Sequence, residues 1–168
     1  MTDSVPTKSY HHGNLRAELL DTAIEQLRET GADDLSLRAL ARAIGVSQTA
    51  PYRHFEDKGD LLAAMATRGY RQLLSALRSA EQSAGDCPKA KLVAVAQAYV
   101  DYAAENPQLF KLMFGPAIQP MQKYPELREA SRETLGLVRE MLQLGIDQGV
   151  YHFEDDLSYL TNAGWSSI

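Results

Sequence analysis

A single cysteine, Cys87, rules out a disulfide framework within the chain. No resolving cysteine or basic cluster adjoins it, which favours an inert thiol over a sensor. No apolar run approaches the roughly twenty residues of a membrane span, so no membrane partner is expected. The leader MTDSVPTKSYHHGN is polar and has no secretory h-region, which makes the cytoplasm the expected compartment. Positive charge is scarce as well: 17 Lys and Arg stand against 22 Asp and Glu, a net charge of −5. Binding of nucleic acid by bulk charge is therefore disfavoured. The motifs of catalysis are missing too: no nucleophile elbow, no glycine-rich phosphate loop, no His-Glu-x-x-His and no cysteine pair. No enzyme, cofactor or metal is expected. His11 and His12 read as a tail, and His152 with Glu154, Asp155 and Asp156 reads as a solvated turn with a helix cap.

What the chain does have is helical periodicity and 45 % apolar residues, enough for a packed interior. There is no strand pattern, repeat or low-complexity tract, so the fold class is all-α. A flexible arm is expected over 1–13. The first helix is expected from Asn14 to Thr30, with Gly31 ending it. A long helix begins near Asp57, which can cap it, and dissolves at Ser83–Asp86. Pro88 suits the first turn of a helix over 88–105, and Asn106-Pro107 reads as a cap-plus-proline start for a short helix ending at Gly115. Residues 115–124 read as an irregular crossing, followed by a helix over 125–148 and a last helix carrying Leu157, Leu160, Trp165 and Ile168.

The most informative stretch is 36–58, SLRALARAIGVSQTAPYRHFEDK. Leu37, Leu40, Ala41 and Ile44 fall at helical spacing, Ser36 can cap that helix, and Gly45 can supply the left-handed exit. Ser47 can cap a second helix, which Pro51 limits. That helix offers polar groups, which is the arrangement by which a helix-turn-helix enters a major groove. An ordinary helical hairpin is the bland alternative. The region is slightly acidic, so DNA binding must rest on the local placement of Arg38, Arg53, His54 and Lys58, with Lys8 in the leader. Gln48, Thr49 and Ala50 are the base-facing candidates, since Gln can pair with adenine and the methyls can touch thymine. Ser36 and Arg38 could meet phosphate through backbone N–H groups and charge. Ser47 completes the set, and Leu37, Ile44, Val46 and Phe55 are assigned to packing.

The pattern G-V-S-x-x-x-x-Y-R-H-F-x-x-K-x-x-L, from Gly45 to Leu61, resembles the tetracycline-repressor (TetR) family of transcription regulators. The resemblance extends back through Leu37 and Gly31 to about Asn14. Tyr10–Leu15, Pro51–Phe55 and Asn106–Gly115 are similar to one subgroup, whose C-terminal domain is named for a Trp-His-Gly signature. Its Trp corresponds to Trp165, and its His-Gly would follow Ile168. The resemblance implies phosphate contacts by Tyr52, His54 and Lys58. It also implies a ligand-responsive repressor that binds a palindromic DNA operator as a homodimer. The expected division is a helix-turn-helix domain with its arm over 1–57 and a helical effector-binding and dimerisation domain over 58–168. In the family the last two helices of each subunit form the dimer interface, and here one is expected to be cut short and the other absent.

Tyr99, Tyr102, Phe110, Met113, Phe114, Met141 and Trp165 come from four expected helices. Aromatic and Met residues at helical spacing are usually core, yet as a set they also fit an apolar pocket with hydroxyl and indole handles. The resemblance favours a pocket for a small-molecule effector. Two rivals stay open: a helical small-molecule carrier and a protein-interaction module, neither with sequence-specific DNA binding.

Overall fold

The computed structural model describes residues 14–150, which form helices and turns with no strand among them. The elements are α1 (Leu15–Thr30), α2 (Leu37–Ala43), α3 (Lys58–Ser83), α4 (Pro88–Glu105), α5 (Pro107–Phe114) and α6 (Pro125–Asp147). Three short 3₁₀ turns join them, at Ala50–Arg53, Pro116–Ile118 and Met121–Lys123. The helix ends agree with the expected ones to within a residue or two. The arm, His11 and His12, the His152–Asp156 turn and the last expected helix with Trp165 lie outside the described residues.

The 26-residue α3 is the axis of the molecule. Its apolar residues recur at helical spacing on more than one side, and α4, α5 and α6 all pack on it. Its N-terminal half also meets α1, where Arg68 pairs with Asp21. One apolar cluster runs without a break from Leu19 in α1 through Phe55 and Tyr70 to Met141 in α6. Gly69 lets α5 come close, since a Cβ there would lie 2.6 Å from Met113 Sδ.

Local chemistry sets the boundaries. Ser36 caps α2 by accepting the Ala39 N–H at 3.1 Å. Gly45 ends it at φ +76°, with Gly45 N–H on the Arg42 carbonyl and Val46 N–H on the Ala41 carbonyl, the paired bonds of a Schellman exit. Asp57 caps α3 by accepting the Asp60 N–H at 2.8 Å, and Asp60 reaches back to the Glu56 N–H at 3.1 Å. Asn106 departs from the expected cap. Asn106 does precede Pro107 at the start of α5, its carbonyl accepting the Phe110 N–H at 2.8 Å, but its side chain donates to the Tyr102 carbonyl at 3.1 Å and accepts from Arg28 at 3.2 Å, so it ties α4 to α1 and makes no cap bond to α5.

Candidate nucleic-acid interface

The second element of the expected helix-turn-helix is not an α-helix. It is a turn at Gln48-Thr49 followed by the four-residue 3₁₀ segment Ala50–Arg53. Pro51 bars an α-type start at Ser47. It has no N–H to give the Ser47 carbonyl, so the α-type bond that would join the first turn cannot form. Bonds three residues apart replace it: Ala50 N–H to Ser47 O at 3.0 Å, Tyr52 N–H to Thr49 O at 3.3 Å and His54 N–H to Pro51 O at 2.9 Å. The expected cap at Ser47 is corrected too, because its hydroxyl lies 3.3 Å from that of Thr49.

Two apolar residues fix this segment on the core. Pro51 is buried, and Phe55 is 1 % exposed, with the Arg16 guanidinium 5.3 Å from its ring centre. With those two turned inward, Gln48, Thr49, Tyr52, Arg53 and His54 are exposed, together with Ser36, Arg38 and Ser47. Ala50 is half-buried, which narrows its reach. Leu37 is buried and Ile44 packs on the core, as their packing assignment requires.

Lys58 is half-buried, and its Nζ donates to the Asp33 carbonyl at 2.7 Å. This anchors the first turn of α3 to the loop between α1 and α2. Two acidic residues of the region have structural places. Asp57 and Asp60 are engaged in capping, and the Asp60 N–H, aided by Lys123, holds the Asp57 carboxyl below its ordinary range. Exposed Arg42 is a further candidate that the sequence reading misses. It lies four residues from Arg38, on the same face of α2, and that spacing is the available signal.

The other expected set falls in the helical body. Tyr99 stacks edge-on against Phe110 at 5.3 Å, Phe110 tilts against Phe114 at 4.5 Å, and Phe114 meets Tyr70 at 5.5 Å. Tyr99, Phe110 and Phe114 are half-buried, whereas Tyr102, Met113 and Met141 are buried. The Tyr102 hydroxyl donates to the Gly69 carbonyl at 3.0 Å. Burial pushes the Tyr102 and Tyr70 hydroxyls up to about 12. A separate cleft of about 500 Å³ lies between the end of α1 and α5, lined by Leu27, Gly31, Asp33, Lys111, Leu112 and Pro116 among others, and none of the described members of the aromatic set lines it.

Comparison with known proteins decides the family. Residues 19–65 match the family described as bacterial regulatory proteins, tetR family, and residues 92–168 match the tetracyclin repressor-like C-terminal domain. The chain belongs to the TetR family. It is 28 % identical over 147 residues to the HTH-type transcriptional regulator Rv1816 of Mycobacterium tuberculosis, covering 86 % of this chain and 62 % of that one. It thus spans under two thirds of the length of such curated relatives. A protein of unknown function from Rhodococcus sp. RHA1 superposes with a TM-score of 0.81 at 35 % identity, over 94 % of this chain and 80 % of that one. The TetR family regulator PfmR from Thermus thermophilus gives a TM-score of 0.66 at 26 % identity, over 86 % and 79 %. The family, Rv1816 and PfmR are transcription regulators, not enzymes. Among the described residues, no helix is long and apolar enough to cross a membrane and no cluster of acidic, His or Cys side chains could hold a metal.

Proposed function

We propose that this chain is a cytoplasmic, ligand-responsive transcription regulator that binds a palindromic operator as a homodimer and represses until an effector binds. One observation carries the DNA-binding part: a short polar segment, Gln48 to His54, is held outward by buried Pro51 and Phe55. Gln48, Thr49 and Ala50 read bases, Ala50 with the shortest reach. Ser36, Arg38, Ser47, Tyr52, Arg53, His54 and Lys58 meet the phosphate backbone, joined by Arg42. Residues 1–57 act as the DNA-binding unit and residues 58–168 as the effector and dimerisation unit. The half-buried ladder Tyr99, Phe110 and Phe114 is the effector-facing surface, with Tyr102, Met113 and Met141 as the wall behind it and Trp165 completing the set. That makes an apolar or aromatic effector the better fit.

The test is selection of bound DNA from a random duplex pool, followed by sedimentation of the complex. A palindrome with half-sites about one helical turn, roughly 34 Å, apart and two chains per duplex are expected. Binding that ignores sequence, or one chain per site, would overturn the reading.

A further inference from the structure

We propose that Lys123 and Tyr124, in the crossing between α5 and α6, are positioning residues for the first turn of α3, and through it for the phosphate contact of Lys58. The inference rests on the DNA-binding reading above. That turn carries the cap at Asp57, and Lys58 itself bonded to Asp33. A second element, 66 positions later, closes on it: Lys123 Nζ lies 3.4 Å from Asp57 Oδ2. Beside it, the Tyr124 hydroxyl lies 2.6 Å from the point where a Cβ on Gly59 would sit.

Gly59 follows Lys58 directly and has no left-handed φ, so the glycine supplies space and not backbone freedom. A glycine in a helical turn otherwise weakens it. A Cβ there would meet two side-chain atoms, the Tyr124 hydroxyl at 2.6 Å and the capping Asp57 Oδ1 at 3.0 Å. The next nearest atom of that ring, Cζ, is at 3.8 Å, an ordinary contact, so the obstruction from the ring is the hydroxyl alone. Tyr124 also starts α6, its carbonyl accepting the Arg128 N–H at 3.1 Å. The clasp therefore joins the turn bearing Lys58 to a helix that packs on α3 and α4. The ion pair is half-exposed on both sides and weak as a tether. Its contribution is electrostatic: Lys123 offsets a carboxylate next to the phosphate-seeking Lys58.

The probe is the duplex selected as above, titrated against variants of the whole chain. Gly59→Ala should weaken binding by about 5- to 10-fold, and adding Tyr124→Phe should recover part of that loss, the remainder being the contact of the new Cβ with Asp57 Oδ1. In a Lys58→Ala background, Gly59→Ala should have little further effect. Lys123→Met should weaken binding by about 3-fold at low salt and less at high salt. A Gly59→Ala loss that persists undiminished without the Tyr124 hydroxyl, or without the Lys58 ammonium, would overturn the proposal. Should Gly59→Ala not fold, amide exchange at Asp60 decides: it should quicken in Tyr124→Phe and Lys123→Met, and unchanged rates would count against the clasp. A wild-type chain that binds no duplex fails the DNA-binding reading instead, while the exchange measurement still judges the clasp.

Discussion

The start and the middle of α3 use polar side chains in opposite ways. Around its start, the side chains of Gln48, Thr49, Tyr52 and His54 are exposed, with the Thr49 hydroxyl touching only that of exposed Ser47, and Pro51 and Phe55 turn to the core. Around its middle, the polar groups turn inward onto backbone. The Tyr102 hydroxyl donates to Gly69, the Tyr70 hydroxyl to Met113 at 2.9 Å, and the buried Thr134 hydroxyl to Ala130 at 2.9 Å. A buried polar group must find a partner or suffer a desolvation penalty, so the second region stabilises the fold with the same chemistry that the first holds available. Polar residue type therefore does not separate function from structure here; what the hydroxyl already touches does.

The largest effect that could break this contrast is expected at Phe55. Replacing its fully buried ring by Ala should cost about 3–5 kcal/mol of stability, because a cavity opens under the reading segment and Arg16 loses its stacking partner. Urea titration measures it. A loss under about 1 kcal/mol would mean that the segment is not anchored as the burial implies. Gln48→Ala comes next and should behave oppositely. It should weaken the selected operator by about 1–3 kcal/mol, leave random DNA nearly untouched and leave the urea midpoint where it was. Equal losses on both duplexes would remove Gln48 from base readout.

Much of this is legible in the sequence, and the failures have a common cause. Gly45, Ser36 and Asp57 act locally, through their own backbone and the next turn, so spacing alone locates them. Pro51 is visible, but its effect depends on whether enough turn exists before it to sustain an α-type ladder. Ser47 and Asn106 have the right residue types for caps, yet each finds a better partner, one in a neighbouring hydroxyl and the other in Arg28 across 78 positions. Similarly, nothing in the pattern could show that Tyr102 commits its hydroxyl to Gly69. Contacts between distant segments are not encoded in periodicity. The same limit hides the meeting of Tyr124 with Gly59.

A smaller effect sharpens the inward half of the comparison. Tyr102→Phe should cost about 1–1.5 kcal/mol at neutral pH, the net contribution of a buried hydrogen bond. Its pH dependence gives a second check. Tyr102 and Tyr70 stand at about 12, above the ordinary value of 10, because burial disfavours the phenolate. The native state thus holds these protons more tightly than the unfolded chain does. Their contribution is full below pH 10 and is lost as pH rises from 10 through 12. Denaturant titrations across that range should show stability falling, and Tyr102→Phe should flatten the fall. An unchanged slope would mean that the hydroxyl is solvated in the native state.

The smallest expected effect lies at Ser36, where both uses of a polar group meet on one atom. Its hydroxyl accepts the Ala39 N–H, yet a hydroxyl keeps one hydrogen to donate, and Ser36 is exposed. Ser36→Ala should remove the cap, at a cost between about 0.5 and 1 kcal/mol of stability. Ser36→Asp separates the two uses. A carboxylate caps as well as a hydroxyl and suits a helix N-terminus, so stability should return to the wild-type value. The carboxylate has no hydrogen to give and repels phosphate, so affinity for the selected duplex should fall below that of Ser36→Ala, most clearly at low salt. If Ser36→Asp restores stability and binds DNA as well as the wild type does, Ser36 is a cap alone and belongs with the inward-turned hydroxyls of the helical body.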